Sequence, residues 1–142
     1  MHECMSIARV WGLSCPGSPE EVSRARRWTR DILRSSPPAD DAALIVSELS
    51  TNAIRHTASG WAAGSFHLAV AVSAQVVAVS ATDDGGTGTT PKAEHQNQDA
   101  EGGRVLDMVN AIAHWVVIHS GTQGCAVTAE LYVDARLVGR SC

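Results

Sequence analysis

Three polar side chains recur at helical spacing in the middle of the chain. Glu48, Asn52 and His56 are four residues apart, so they share one face of a predicted helix, beside its apolar stripe rather than opposite it. A carboxylate can orient or deprotonate a nucleophile, and an amide oxygen is a ligand for a hard cation. The pattern therefore fits either a cation site with an adjacent general base or the solvated polar face of a surface helix, and residue types alone favour the second interpretation.

Two glycine-containing segments follow further along the chain. A predicted strand runs into residues 83–88, DDGGTG, where a carboxylate can accept a hydrogen bond from an exocyclic amine such as that of adenine and glycines allow a ligand to approach. Residues 101–104, EGGR, precede a predicted helix whose free backbone N–H groups suit an anion, above all phosphate. An ordinary Asp-Gly turn and a flexible helix start remain the alternatives.

The apolar pattern predicts the elements that must position these residues. Helical spacing and strict alternation distinguish helices from strands. In chain order we expect a helix N-capped by Ser18 and ended by residues 35–38, a helix from Asp40 or Asp41 to about Thr57, a hairpin of strands 66–72 and 77–81, a helix from about Gly103, and strands 115–118 and 126–133. Helices set apart from antiparallel hairpins predict an α+β fold, with helices on one face of a mixed, mostly antiparallel sheet.

Composition limits the class of protein. The chain has 142 residues, a net charge of −4 and four cysteines, and we expect one main domain with reduced thiols. Apolar runs such as residues 76–79 and 115–118 are far shorter than a bilayer span, and the first residues lack the pattern of a secretory signal. An acidic balance argues against a non-specific nucleic-acid binder. We therefore expect a cytoplasmic protein.

In this order, the segments resemble the motifs of the GHKL superfamily of ATPases, which includes gyrase and the histidine kinases. Residues 48–57, ELSTNAIRHT, resemble the N box, and residues 83–88, DDGGTG, resemble the first glycine box. Residues 102–109, GGRVLDMV, resemble the second glycine box, and residues 121–131, GTQGCAVTAEL, resemble the closing box. Within this superfamily, the chain most resembles the single-domain anti-sigma-factor branch, because it is small and its first helix is rich in Ala and Arg. The resemblance covers residues 18–133 and implies a two-layer α/β sandwich of the Bergerat type.

The resemblance also implies a role for each matching residue. Asn52 would coordinate Mg²⁺ that bridges the phosphates of ATP, and Glu48 would be the general base. Asp83 would accept a hydrogen bond from the adenine amine, and Gly85 would leave room beside the base. The residues implied at the phosphates are Gly102, Gly103 and Arg104.

The first glycine box can be read in two registers. Residues 84–88 fit the Asp-x-Gly-x-Gly pattern more literally than the register that begins at Asp83. We prefer Asp83, because strand alternation places it on the core-facing side with Val79 and Ala81, while Asp84 points the other way.

Two positions depart from the motifs. Val105 stands where the second glycine box has a further glycine, and Cys125-Ala126 stands in place of Lys-Thr in the closing box. The second change removes a hydroxyl that lies near adenine in the superfamily, and Thr122 and Thr128 are the candidates to replace it.

The resemblance implies an ATP-binding regulatory protein, an anti-sigma-factor-like serine/threonine kinase that acts on a small anti-sigma-factor antagonist. Its partners would be a sigma factor, the antagonist or both, with a homodimer also open, and without direct binding to nucleic acid or membrane. A degenerate nucleotide-binding module that sequesters a partner without turnover is the alternative, favoured by Val105 and Ala126, whereas Glu48 favours the kinase. A detached histidine-kinase catalytic domain fits less well. Residues 1–17 would form a strand or tail, 18–142 the ATP-binding domain, and 86–101 its lid.

Overall fold

The structure of the chain is a computed structural model that describes residues 9–56, 64–83, 107–121 and 124–133. These residues form two long helices and five strands, with a further helical segment at 107–112. The elements are β1 (Arg9–Pro16), α1 (Glu20–Ile32), α2 (Ala39–His56), β2 (Ser65–Val72), β3 (Val76–Thr82), β4 (Trp115–Gly121) and β5 (Gly124–Tyr132). No helix among the described residues is both long enough and apolar enough to cross a bilayer.

The five strands form one sheet in the order β1-β2-β3-β5-β4, and each neighbouring pair is antiparallel. The predicted β2–β3 hairpin is confirmed, with Val72 opposite Val77. Ser73 holds its turn, because its N–H donates to the carbonyl of Val76 (2.9 Å) and its hydroxyl accepts from the N–H groups of Gln75 and Val76. β1 is an edge strand of the same sheet, paired along its length with β2.

The start of α1 differs in one detail from the prediction. Pro19 has helical dihedral angles (φ −56°, ψ −28°), and Glu20 and Glu21 occupy the first turn, where the helix dipole favours them. The Ser18 hydroxyl, however, donates to the carboxylate of Glu20 and does not cap a backbone N–H group. This bond lowers the pKa of Glu20, followed by a smaller effect of the backbone N–H of Glu20 itself.

The core lies between the two helices and one face of the sheet. The predicted apolar stripe of α2 is confirmed, and α1 contributes Ala25 and Thr29. Alternate residues of the strands complete the core from below, so the expected α+β sandwich with helices on one face is confirmed. The buried residues of α2 and of the three central strands include Ala42, Ile45, Val46, Leu49, Ala53, Phe66, Leu68, Val70, Val77, Val79, Ala81, Val127, Ala129 and Leu131.

The opposite face of the sheet has a row of mostly small and polar side chains across its middle. Gly12, Ala69, Ser80, Thr128 and Val117 lie in one row across the five strands. Ser80 and Thr128 share a hydrogen bond between their hydroxyl oxygens at 2.9 Å. This row is more polar than the helix-facing side, while Val10 and Trp115 leave exposed apolar side chains at the two edges of the same face.

Candidate functional site

Glu48 and Asn52 lie on one flank of α2, one helical turn apart. Both side chains are half-buried, so they border the core and can still be reached from solvent. The residues between them anchor the helix, because Leu49 and Ser50 are buried. The predicted placement of a carboxylate and an amide on the same flank is confirmed as geometry, while their roles stay predictions. His56 ends α2, and its side chain lies outside the described part of the chain.

α2 packs against β3, the strand that leads to Asp83. Val77, Val79 and Ala81 of this strand are buried, and Asp83 is the next residue in the same alternation. The half-buried Asp83 therefore continues the core-facing side of β3. Asp84 lies outside the described residues, so the choice between the two aspartates as the partner of adenine stays a prediction.

Asp83 is tied to the neighbouring strand by two hydrogen bonds. Its N–H donates to the carbonyl of Cys125 (3.0 Å), and its Oδ1 accepts from the N–H of Cys125 (3.2 Å). The first bond extends the β3–β5 pairing by one residue beyond the Thr82–Ala126 pair. A carboxylate fixed in this way has a defined orientation, which a specific hydrogen bond to an amine requires.

The closing box places a thiol beside Asp83. Cys125 alternates with the buried residues Val127 and Ala129 and packs against the core from the helix-facing side of β5. Thr128 points to the other face, where it bonds to Ser80. The suggestion that Thr128 supplies the hydroxyl missing from the closing box is therefore wrong. Thr122 lies outside the described residues.

The remaining predicted site residues also lie outside the described part of the chain. They are Gly85, Gly102, Gly103 and Arg104, together with Val105 and the lid segment 86–101. The helical segment 107–112 that follows them is described, and Val109 is fully buried while Ile112 packs against the core. Met108, in the same segment, is 41% exposed.

The donor set on α2 suits a magnesium ion held together with phosphates. Among the described residues, no group of three or more His, Cys, Asp or Glu side chains could hold a metal ion. Mg²⁺ prefers oxygen ligands and usually binds through one or two protein oxygens, several waters and the phosphates of a substrate. The amide oxygen of Asn52, on a solvent-reachable flank beside the Glu48 carboxylate, fits that requirement.

Comparison with known proteins identifies the class. A family model described as the histidine kinase-like ATPase domain matches residues 15–131. The chain belongs to this family, since the match includes both helices, the hairpin and the closing strands. No curated protein matches the sequence. The resemblance to the GHKL superfamily is confirmed, and the family implies an ATP-binding domain.

Proposed function

We propose that this protein is an ATP-dependent regulator of the anti-sigma-factor type, which phosphorylates a serine or threonine on a small antagonist protein. The observation that carries this proposal is the shared flank of α2, where Glu48 and Asn52 border a core that α2 forms with β3. In this proposal the third group of the family motif is Asp83, which is hydrogen-bonded to Cys125 at the end of β3.

Each residue has a separate task in this proposal. Asn52 would hold Mg²⁺, which neutralises phosphate charge when it is bound. Glu48 lies about 6 Å from Asn52 along the helix axis. Its carboxylate takes the proton from the hydroxyl of the partner. The hydroxyl oxygen then bonds to the γ-phosphorus, and the bond between that phosphorus and the β–γ bridging oxygen breaks, which releases ADP.

Asp83 would select adenine. Its Oδ1 accepts a hydrogen bond from the N–H of Cys125, and this contact restricts the orientation of the carboxylate. We expect Asp83→Asn to abolish the preference for ATP over GTP, because an amide can present a donor to the adenine amine. Asp84→Asn is the matched control and should change little. The opposite result in a competition assay would show that the first glycine box begins at Asp84.

One observation favours the alternative, a nucleotide-binding module without turnover. Cys125, Val127 and Ala129 occupy the helix-facing side of β5, so its described residues offer no hydroxyl there in place of the threonine of the family motif. Nucleotide affinity is then lower than the motif implies, and binding of a protein partner becomes the main activity.

Both hypotheses require nucleotide binding, and calorimetry with ATP and ADP, with and without Mg²⁺, tests it. We expect binding that strengthens with Mg²⁺. Transfer of a radiolabelled γ-phosphate to a co-encoded small protein separates them, because the degenerate module binds nucleotide and transfers nothing. Absence of any nucleotide binding by the folded protein would contradict both.

A further inference from the structure

The sheet face that lies away from the helices carries a carboxylate without a partner. Glu130 on β5 alternates with the buried residues Ala129 and Leu131, so it points to this outer face. Its side chain is half-buried, and within the described part of the chain no hydrogen bond or ion pair reaches its carboxylate. Histidines aside, Glu130 is also the single charged side chain among the described strand residues of this face. A half-buried charge of this kind gains when a cation pairs with it.

Aromatic side chains lie on two sides of this carboxylate. Trp115 on β4 is directly opposite Glu130, which places their Cβ atoms about 5 Å apart, and Trp115 is 59% exposed. Tyr132 follows Glu130 on the same face of β5, and the ring of His114 stacks on it with centroids 4.6 Å apart. We call Trp115, Glu130, Tyr132 and His114 the aromatic–carboxylate site.

The histidine of this site braces the tyrosine and does not neutralise the glutamate. The N–H of Tyr132 donates to Nδ1 of His114 (3.1 Å), and the N–H of His114 donates to the carbonyl of Glu130 (2.8 Å). A ring nitrogen that accepts a hydrogen bond carries no proton, so the imidazole is neutral in this arrangement. The negative charge of Glu130 therefore stays uncompensated.

Small side chains leave space above the carboxylate. Ala78 on β3 is opposite Glu130, on the side away from Trp115. Ser80 and Thr128, the next residues on this face, direct their hydroxyls at each other and not at Glu130. A ligand can thus approach the carboxylate over Ala78 and reach the exposed ring of Trp115 at the same time.

We propose that the aromatic–carboxylate site binds an arginine side chain of a protein partner. A guanidinium pairs its N–H groups with both oxygens of a carboxylate and stacks its plane on an aromatic ring, and Glu130 and Trp115 offer these contacts side by side. A lysine ammonium is a point charge without a plane or a fork, so it uses the site less fully.

Two other occupants fit less well. A nucleic acid would bring its own negative charge to Glu130. A second copy of the chain, paired through the same face by a two-fold axis, would add another Glu130 and no Arg or Lys from the described strands. An arginine on a different protein supplies the cation that this face lacks.

The aromatic–carboxylate site is separate from the proposed nucleotide site. Glu48 and Asn52 belong to α2, which packs on the other side of the sheet. A partner held at Glu130 therefore leaves the flank of α2 open. The inference goes beyond the proposed function and can be tested without nucleotide.

Nuclear magnetic resonance on the full chain tests the site. The probe is N-acetyl-arginine methylamide, and its matched control is the citrulline analogue, which has the same length and a planar but neutral urea. We expect the arginine probe to shift the indole N–H signal of Trp115 at millimolar concentrations. The citrulline probe should bind at least about tenfold more weakly, because a charged donor pairs more strongly with a carboxylate. Equal binding of the two probes would overturn the proposal.

Variants assign the effect to individual side chains. Glu130→Gln keeps the size of the side chain and removes its charge, so it should weaken arginine binding by about tenfold or more. Trp115→Leu removes the aromatic face and should weaken binding by about three- to fivefold, measured on the backbone amide of Glu130. Asp107→Asn, an exposed carboxylate on the helical segment 107–112, is the matched control and should change binding by less than about twofold.

The proposal fails if Asp107→Asn weakens binding as much as Glu130→Gln does, or if a lysine probe binds as tightly as the arginine probe. It also fails if Arg136→Gln with Arg140→Gln raises the affinity about tenfold, because an arginine of the same chain would then be the occupant. Dispersion of the amide signals shows whether each variant is folded, and Trp115→Leu decides if Glu130→Gln is not. Arginine binding without nucleotide binding in calorimetry would remove the proposed function and leave this inference intact.

Discussion

The two helices of the same layer differ in how they pack and in which polar side chains they carry. α2 packs against β2, β3 and β5 and buries a continuous apolar stripe, while α1 packs against α2 and β1 and has Ala25 and Thr29 as its buried residues. α2 carries the Glu48–Asn52 flank, and α1 carries four arginines together with three acidic residues. The comparison indicates that the candidate site residues lie on the helix that packs on the sheet, whereas the helix that packs mainly on α2 has a surface of mixed charge.

The largest expected effect concerns anchoring. Ile45→Ala in α2 should lower the free energy of unfolding by about 2–5 kcal/mol, because Ile45 is fully buried and the change leaves a cavity. The same substitution at Ile32 in α1, which is half-buried, should cost distinctly less. Urea denaturation followed by circular dichroism measures both. Equal losses at the two positions would show that the helices are anchored alike.

The next effect concerns the proposed chemistry of α2. Glu48→Gln should leave nucleotide affinity almost unchanged and slow phosphoryl transfer by ~10²-fold or more, the usual scale for loss of a general base. Glu20→Gln, an exposed carboxylate of α1, is the control and should leave the rate unaffected. A phosphotransfer time course compares them. If Glu48→Gln retains the full rate, the carboxylate on this flank is not the base.

A smaller effect is expected at the neighbouring amide. Asn52→Ala should weaken nucleotide binding in the presence of Mg²⁺ by about tenfold, the scale of one polar contact to a charged group, with much less effect in the presence of a chelator. Asn110→Ala, exposed on the helical segment 107–112, is the matched control. Calorimetry gives both affinities. A loss of the same size without Mg²⁺ would mean that Asn52 contacts the nucleotide rather than the metal.

The smallest effect concerns the junction between the helices. Arg30 and Asp40 form an exposed ion pair at 3.5 Å, so a double-mutant cycle with Arg30→Ala and Asp40→Ala should give a coupling energy below about 1 kcal/mol. Thermal unfolding at low and high salt measures it. A larger coupling that persists in high salt would show that this pair joins the two helices as a structural contact and not as a solvated one.

Local patterns in the sequence predicted most of the elements. The apolar stripe of α2 and the alternation of β2 and β3 are strong periodic signals, and both elements appear within a few residues of the expected bounds. The outward direction of Thr128 was also readable, because its neighbours Val127 and Ala129 define the core-facing side of β5. The Ser18 cap failed for a different reason, since residue type indicates a capping side chain and not the partner it chooses.

The contact that fixes Asp83 was not predictable from local patterns. Asp83 and Cys125 are 42 residues apart, and their pairing depends on the register between β3 and β5. Alternation shows which residues of a strand share a face, but it does not show which strands are neighbours or how they are aligned. The sequence therefore indicated a carboxylate at a strand end and gave no sign of the backbone group that orients it.

The strand order has a consequence for folding during synthesis on the ribosome. β5 is the last of the described strands in chain order, yet it lies between β3 and β4 in the sheet. During synthesis, the elements from β1 to β3 leave the exit tunnel before β5 does. One edge of β3 therefore remains unpaired until β5 emerges. Closing the sheet joins residues that are distant in sequence, which slows folding. A nascent chain stalled before β5 would thus expose an unpaired strand edge that can pair with other chains. Chaperones that shield such edges would bind it during that interval.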